Sequence, residues 1–176
     1  MTAPLLERLN ATLRDVPDFP TPGILFKDIT PVLAAPALMR EVVTAMLAPF
    51  AGADITHLVG VESRGFLFGM PMALLLGVPF APARKPGKLP WRTEREAYAL
   101  EYRSDVLEMH VDALGTGARV LVVDDVLATG GTAAATCRLI ERLGGDVVGI
   151  SVLVELGFLG GRAQLPGRAL HAVVAY

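Results

Sequence analysis

Two adjacent carboxylates, Asp124 and Asp125, are followed at once by the segment Val126 to Thr132, which ends in Thr129-Gly130-Gly131-Thr132. These are the residues of the chain whose types and spacing could do chemistry. The run before them, Val120-Leu121-Val122-Val123, is apolar and β-branched, as expected of a strand buried on both faces that stops at the acid pair. The segment after them, Ala133 to Leu143, has helical composition and length. Strand, glycine-rich loop and helix N-terminus in that order make a phosphate cradle. Glycines let the backbone approach an anion, the N–H groups of the first helical turn point at it, and the Thr hydroxyls add donors. Two Asp beside such a cradle would repel a bare phosphate, so the ligand should present hydroxyls or a metal ion on that side. A sugar phosphate meets both demands. The alternative is a glycine-rich turn with solvated acids, which requires run, doublet and loop to coincide by chance. No G-x-x-x-x-G-K-[ST] occurs, and Gly115 to Val120 fails the dinucleotide fingerprint at its third glycine.

The elements that must position this loop can be read from periodicity. Leu5, Leu6, Leu9 and Leu13 predict an amphipathic helix over Leu5 to Val16. Pro17, Pro20, Pro22 and Gly23 make an irregular segment before Ile24 to Asp28, and Pro36 opens a helix to about Phe50. Strands are expected over Ile55 to Val61, Val78 to Ala83, Arg119 to Val123, Asp146 to Val154 and His171 to Ala175, with helices over Gly65 to Leu76 and Ala133 to Leu143. This alternation predicts one α/β domain with a mainly parallel sheet flanked by helices. Ligands of such sheets bind at the carboxyl ends of the strands, so the loops after Val61, Ala83 and Val123 should all carry site chemistry.

They do. After Val61 comes Glu62-Ser63-Arg64-Gly65-Phe66, with an Arg at a strand-to-helix turn placed to fork a phosphate or pyrophosphate. After Ala83, the stretch Arg84 to Glu96 has five basic and two acidic residues, and its prolines and glycine forbid a regular element there. The chain has 13 Arg but only three Lys, Lys27, Lys85 and Lys88, all in segments assigned to the site. A compact ammonium suits phosphate oxygens as a point charge. Beyond the basic loop, Tyr98 to Tyr102 alternates as a strand, with Glu101 on the face opposite Tyr98, Leu100 and Tyr102.

Composition narrows the class. At 176 residues the chain can bury about 70% of its unfolded surface as one domain. It is 52% hydrophobic and 19% charged with mean hydropathy +0.48, which suggests apolar surface covered by a second subunit and hence a homodimer. A net charge of −2 gives no basis for general nucleic-acid affinity. The one cysteine, Cys137, reads as a core residue, and His57, His110 and His171 are isolated, so no structural metal is expected. The N-terminus has no signal-peptide pattern, which implies the cytoplasm. Gly65 to Ala83 is uncharged over 19 residues, but Pro71, Pro79 and Pro82 mark it as a buried helix and strand, with no membrane span.

Taken together, Pro17 to Pro31 (P-D-F-P-T-P-G-I-L-F-K-D-I-T-P), E-S-R-G-F, R-K-P-G-K-L-P, Y-A-L-E-Y, V-V-D-D-V-L-A-T-G-G-T and the late E-L-x-x-L-x-G-R at Glu155 to Arg162 resemble the adenine phosphoribosyltransferases, a branch of the type I phosphoribosyltransferases. The resemblance implies that fold, with about residues 1–35 as a base-binding hood and about 84–100 as a flexible active-site loop. It implies transfer of a 5-phosphoribosyl group from phosphoribosyl pyrophosphate (PRPP) to N9 of adenine, giving AMP and pyrophosphate in purine salvage, with Mg²⁺ as cofactor. By this resemblance Ala128, Thr129, Gly130, Gly131 and Thr132 hold the 5′-phosphate, while Asp124 and Asp125 hold the ribose hydroxyls and, directly or through water, the metal. Arg64, Lys85 and Lys88 bind pyrophosphate, Leu25, Phe26 and Lys27 bind adenine, and Glu101 is the acid/base residue. Two positions depart from the pattern: Arg103 stands where Gly is usual, and Lys27 where Arg is frequent. The rival readings are the same transfer to a 6-oxopurine, and a PRPP-sensing regulator that has lost catalysis.

Overall fold

A computed structural model describes residues 4–19, 21–23, 25–100 and 103–176, with 99, 100, 103 and 104 described by backbone alone. The chain divides into two compact units, Met1–Ala45 and Met46–Tyr176. The first opens with helix α1 (Leu5–Thr12), four residues shorter than its leucine spacing predicts. Arg14–Val16 instead forms strand β1, antiparallel to β2 (Phe26–Asp28), with Arg14 opposite Asp28 and Val16 opposite Phe26. A non-local pairing overrides local helical preference here, and Lys27 Nζ to Asp15 Oδ1 at 2.5 Å joins the two strands. The short helix α2 (Thr30–Leu33) follows, and then α3 (Pro36–Leu47), where Arg8 of α1 ion-pairs with Glu41.

The second unit is built on a five-stranded parallel sheet of β3 (His57–Val61), β4 (Phe80–Ala83), β7 (Arg119–Leu127), β8 (Asp146–Glu155) and β9 (Leu170–Ala175), in the order β4-β3-β7-β8-β9. Between β4 and β7 the chain makes an antiparallel hairpin of β5 (Thr93–Leu100) and β6 (Arg103–His110). Helix α4 (Gly65–Leu76) joins β3 to β4, and α5 (Gly131–Arg142) joins β7 to β8. The core has the alternation of a sheet covered on both faces. Val59, Val61, Val120, Val122, Ile150 and Val152 pack with Ala135, Leu139 and Ile140 of α5 and with Leu107 and Met109 of β6. On the other face Phe66 of α4 meets Gly60, and Ser151 Oγ donates to Met46 O at 2.8 Å.

Two features of this topology place the site. From β3 the chain moves outward to β4, whereas β7, β8 and β9 progress the opposite way, so the strand order reverses between β3 and β7, the position where ligands of open α/β sheets bind. In addition, β7 does not stop at the acid pair as its sequence suggests, but runs on to Leu127. The cause is β8, which keeps pairing with it at Asp124↔Val152, Val126↔Val154 and Leu127↔Glu155, while pairing with β3 ends at Gly60↔Val123. Asp124 and Asp125 therefore sit within a strand, on an edge that β3 has just vacated.

Candidate active site

The start of α4 occupies that vacated edge. A Cβ on Gly65 would lie 2.6 Å from Val123 O and 3.1 Å from Asp124 Oδ1, so only glycine allows the helix to begin this close to β7. The approach sets Arg64 beside the acid pair, with Nε 2.8 Å from Asp125 Oδ2. The contact is an ion pair without hydrogen-bond alignment, and Asp125 Oδ2 is a buried oxygen that accepts no hydrogen bond from any described residue. Asp125 is 4% exposed; Asp124 is half-buried and accepts the Asp125 N–H at 2.9 Å. Burial and, secondarily, the neighbouring Asp125 charge push the Asp124 carboxyl well above the usual carboxylate range. Burial also raises Asp125, opposed by Arg64.

Next along the chain, Asp124, Leu127, Ala128, Thr129, Gly130 and Thr132 line an open cleft with about 370 Å³ of empty space. Gly130 caps α5 in the left-handed conformation, φ +83°, which a side chain would strain. No described side chain caps the helix, and its first backbone bond is Ala134 N to Gly130 O at 2.9 Å. The N–H groups of Gly131, Thr132 and Ala133 are thus the donors that a helix start offers to an anion. The phosphate cradle and acid pair expected from the sequence are brought together, with Arg64 beside them.

The basic loop is anchored by carboxylates that sequence reasoning did not assign. Glu62, just past the end of β3 with its side chain 7% exposed, accepts Arg84 Nε and the Lys85 N–H, each at 3.0 Å, and ion-pairs with Lys88. Burial pushes its carboxyl up, but these donors outweigh burial and hold it below its ordinary range. Glu108, 1% exposed on β6, accepts Gly87 N–H at 2.8 Å, Thr93 Oγ1 at 3.2 Å and Arg95 Nε at 3.1 Å, and is also lowered against burial. Lys85 pairs with Asp105, whose Oδ2 accepts Tyr98 Oη at 3.4 Å; Tyr98 Oη in turn accepts Thr132 Oγ1 at 3.3 Å. One hydrogen-bonded path therefore links a lysine of the basic loop to a threonine of the phosphate cradle. The hairpin register, which sets Tyr98 opposite Asp105, would have been the signal for it.

Of the remaining predicted residues, Leu25, Phe26 and Lys27 lie in the first unit. There Phe26 meets the Phe19 ring edge-on, centroids 5.1 Å apart, and Leu25 is exposed. Glu101, the expected acid/base residue, lies outside the described residues. For a metal ion, the described residues contain no group of three or more His, Cys, Asp or Glu that could hold one. The two Asp with their orphaned oxygen fit a different arrangement, in which Mg²⁺ is bound through one or two carboxylates and completed by water and substrate oxygens.

Comparison with known proteins agrees with this geometry. The phosphoribosyl transferase domain family matches residues 32–165. Adenine phosphoribosyltransferase of Myxococcus xanthus is 63% identical over 161 residues, 92% of this chain and 88% of the relative. The crystal structure of the Rhodothermus marinus adenine phosphoribosyltransferase superposes with a TM-score of 0.94 at 54% identity, covering 98% of each chain. That of Saccharomyces cerevisiae, complexed with an imino-altritol bisphosphate and adenine, superposes at 0.91 with 39% identity over 96% of this chain and 98% of the other. Sheet order, cradle, acid pair and these matches converge: the chain belongs to the phosphoribosyltransferase family, in its adenine phosphoribosyltransferase branch.

Proposed function

We propose that the chain transfers the 5-phosphoribosyl group of PRPP to N9 of adenine, releasing pyrophosphate and forming AMP as a purine-salvage step. The observation that carries this reading is the acid pair set between Arg64 and the uncapped start of α5. An anionic phosphate suits the helix start, and the hydroxyls of a pentose suit an acid pair in which the buried Asp125 Oδ2 accepts no hydrogen bond from a described residue. In this scheme the backbone N–H groups and Thr hydroxyls of Ala128 to Thr132 hold the 5′-phosphate, and Asp124 and Asp125 accept the ribose hydroxyls. Arg64, Lys85 and Lys88 bind pyrophosphate, the lysines exchanging Asp105 and Glu62 for ligand oxygens. Mg²⁺, held by Asp124 and Asp125 directly or through water, would offset charge on the pyrophosphate.

The transfer breaks the bond from C1′ to pyrophosphate and forms the bond from C1′ to N9, through an oxocarbenium-like state comparable to that of glycoside hydrolysis. Cations arranged in advance around the leaving group stabilise that state, and exclusion of water protects it from hydrolysis. Residues of about 84–100 are assigned the covering role, about 1–35 form the base-binding hood, and Leu25, Phe26 and Lys27 hold adenine, with Phe26 against the ring. Glu101 takes the proton that the base loses on alkylation, directly or through water. The relatives named above support adenine as the base, and the cytoplasm is the assigned location.

We also assign a homodimer. Leu67, Met70 and Leu74 form a stripe at i, i+3 and i+7 of α4 and are 44%, 45% and 71% exposed, beside exposed Leu75 and Leu76. Among the described residues no helix is long and apolar enough to cross a membrane, so another protein surface is the natural cover.

Three outcomes follow. Incubated with PRPP and Mg²⁺, the protein should form nucleotide and pyrophosphate with adenine and not with guanine, hypoxanthine or xanthine. Turnover of a 6-oxopurine would overturn the base assignment, and no turnover with any base would favour the regulator. Sedimentation should give a dimer that Leu74→Glu dissociates; a wild-type monomer at micromolar concentration would refute the assembly. The third outcome concerns stability. A carboxyl whose pKa rises on folding favours the fold below the ordinary carboxylate range near pH 4 and loses that contribution as pH rises through the raised value. At pH 7 without Mg²⁺, Asp124→Asn keeps the oxygen that accepts the Asp125 N–H but cannot ionise. It should therefore be more stable than wild type by about 1 kcal/mol, or roughly 2–4 °C in Tm, with the gap closing towards pH 4. A variant that melts lower at pH 7, or a gap independent of pH, would contradict the buried-pair account.

A further inference from the structure

The late segment Glu155 to Arg162 takes no part in the scheme above, yet its backbone touches the phosphate cradle. From Glu155, the last residue of β8, the chain passes through two short 3-10 turns, Gly157–Leu159 and Gly161–Gln164, separated by Gly160 at φ +65°. A Cβ on Gly161 would stand 2.2 Å from Ala128 O, and one on Gly130 would stand 2.3 Å from Gly161 O. The two backbones are in contact in both directions. Where the second turn stands therefore decides where the cradle stands.

Arg162 fixes the turn. Its Nε and Nη2 donate to Glu155 Oε1 and Oε2, both at 2.7 Å, as a two-pronged fork, and Nη1 donates to Leu170 O at 3.2 Å. Each guanidinium nitrogen is engaged by a protein acceptor. Glu155 is 7% exposed and lies opposite Leu127 in the sheet, where Leu156 N also donates to Leu127 O at 2.9 Å. The links form a closed ring: Leu127 pairs with Glu155, Glu155 with Arg162, Arg162 is bonded to Gly161, Gly161 abuts Ala128, and Ala128 follows Leu127. At its other end the turn is held by the buried Leu165.

We propose that Arg162, acting through Glu155, is a positioning residue for the 5′-phosphate cradle, setting affinity for the phosphorylated ribose without touching it. The inference rests on the assignment of Ala128 to Thr132 as that cradle. Lysine keeps the charge but cannot reproduce the fork, so Arg162→Lys should disturb the ring while leaving the sheet in place.

The test is calorimetric titration of the full-length protein with ribose 5-phosphate and, separately, with pyrophosphate, together with steady-state kinetics. Small displacements of a binding group carry large penalties. Arg162→Lys and Glu155→Gln should weaken ribose 5-phosphate and raise KM for PRPP by about tenfold or more, with KM for adenine, kcat and pyrophosphate affinity within about threefold of wild type. Ribose 5-phosphate affinity unchanged in both variants, whatever happens to Tm, would overturn the proposal, as would equal losses for both ligands. Gly130→Ala separates the two ideas. If it abolishes ribose 5-phosphate binding while the Arg162 and Glu155 variants bind normally, the cradle stands and the positioning role falls. If Gly130→Ala also binds normally, the cradle assignment itself fails.

Discussion

Two adjacent carboxylates inside a sheet, with one guanidinium beside them, form the constraint on which the rest of the site depends. Neighbouring residues of a strand point to opposite faces, so an Asp-Asp pair can be kept only where the sheet has an edge for both. That edge exists because β3 ends its pairing at Val123 while β8 continues to Leu127. It is filled by a helix that can start there only with glycine at position 65. Arg64 then opposes part of the charge on Asp125, and Asp124 is left above its ordinary range. The pair weakens the ligand-free fold, which is the cost usually found where a protein is complementary to a ligand instead of to itself.

The other carboxylates of the site show the opposite behaviour. The side chains of Glu62 and Glu108 are largely covered too, but each meets several donors and is held below its ordinary range. Acids with depressed values anchor the basic loop, whereas of the raised pair Asp124 lines the cleft and Asp125 stands against Arg64. The loop lysines are held by carboxylates as well, Lys88 by Glu62 and Lys85 by Asp105.

The parts legible in the sequence are those determined locally. Helix α4 has the bounds expected, Gly65–Leu76, because an apolar run ends at Gly77, which takes the left-handed conformation at φ 68°. The cradle is legible for the same reason, since strand, loop and helix start are contiguous. The end of β7 is not, because its length is set by β8. Of β5 and β6, periodicity reveals only the end of β5 from Tyr98, since an inward position before it is Glu96, which is buried because Arg138 and Arg142 of α5 pair with it. The partners of Lys85 and Lys88 lie 20 and 26 residues away, beyond the reach of any spacing rule. Arg162 could be seen as part of a motif, but the ring it closes exists only in three dimensions.

The measurement that bears most directly on the central claim is calorimetric titration of the wild type and Asp125→Asn with PRPP in the presence of Mg²⁺. If the buried pair is the sugar and metal side of the site, losing one charged acceptor should weaken PRPP by roughly 10- to 100-fold, with the fold intact by circular dichroism. An Asp125→Asn protein that binds PRPP as tightly as wild type would contradict it, and the acid pair would then have to be explained as part of the scaffold.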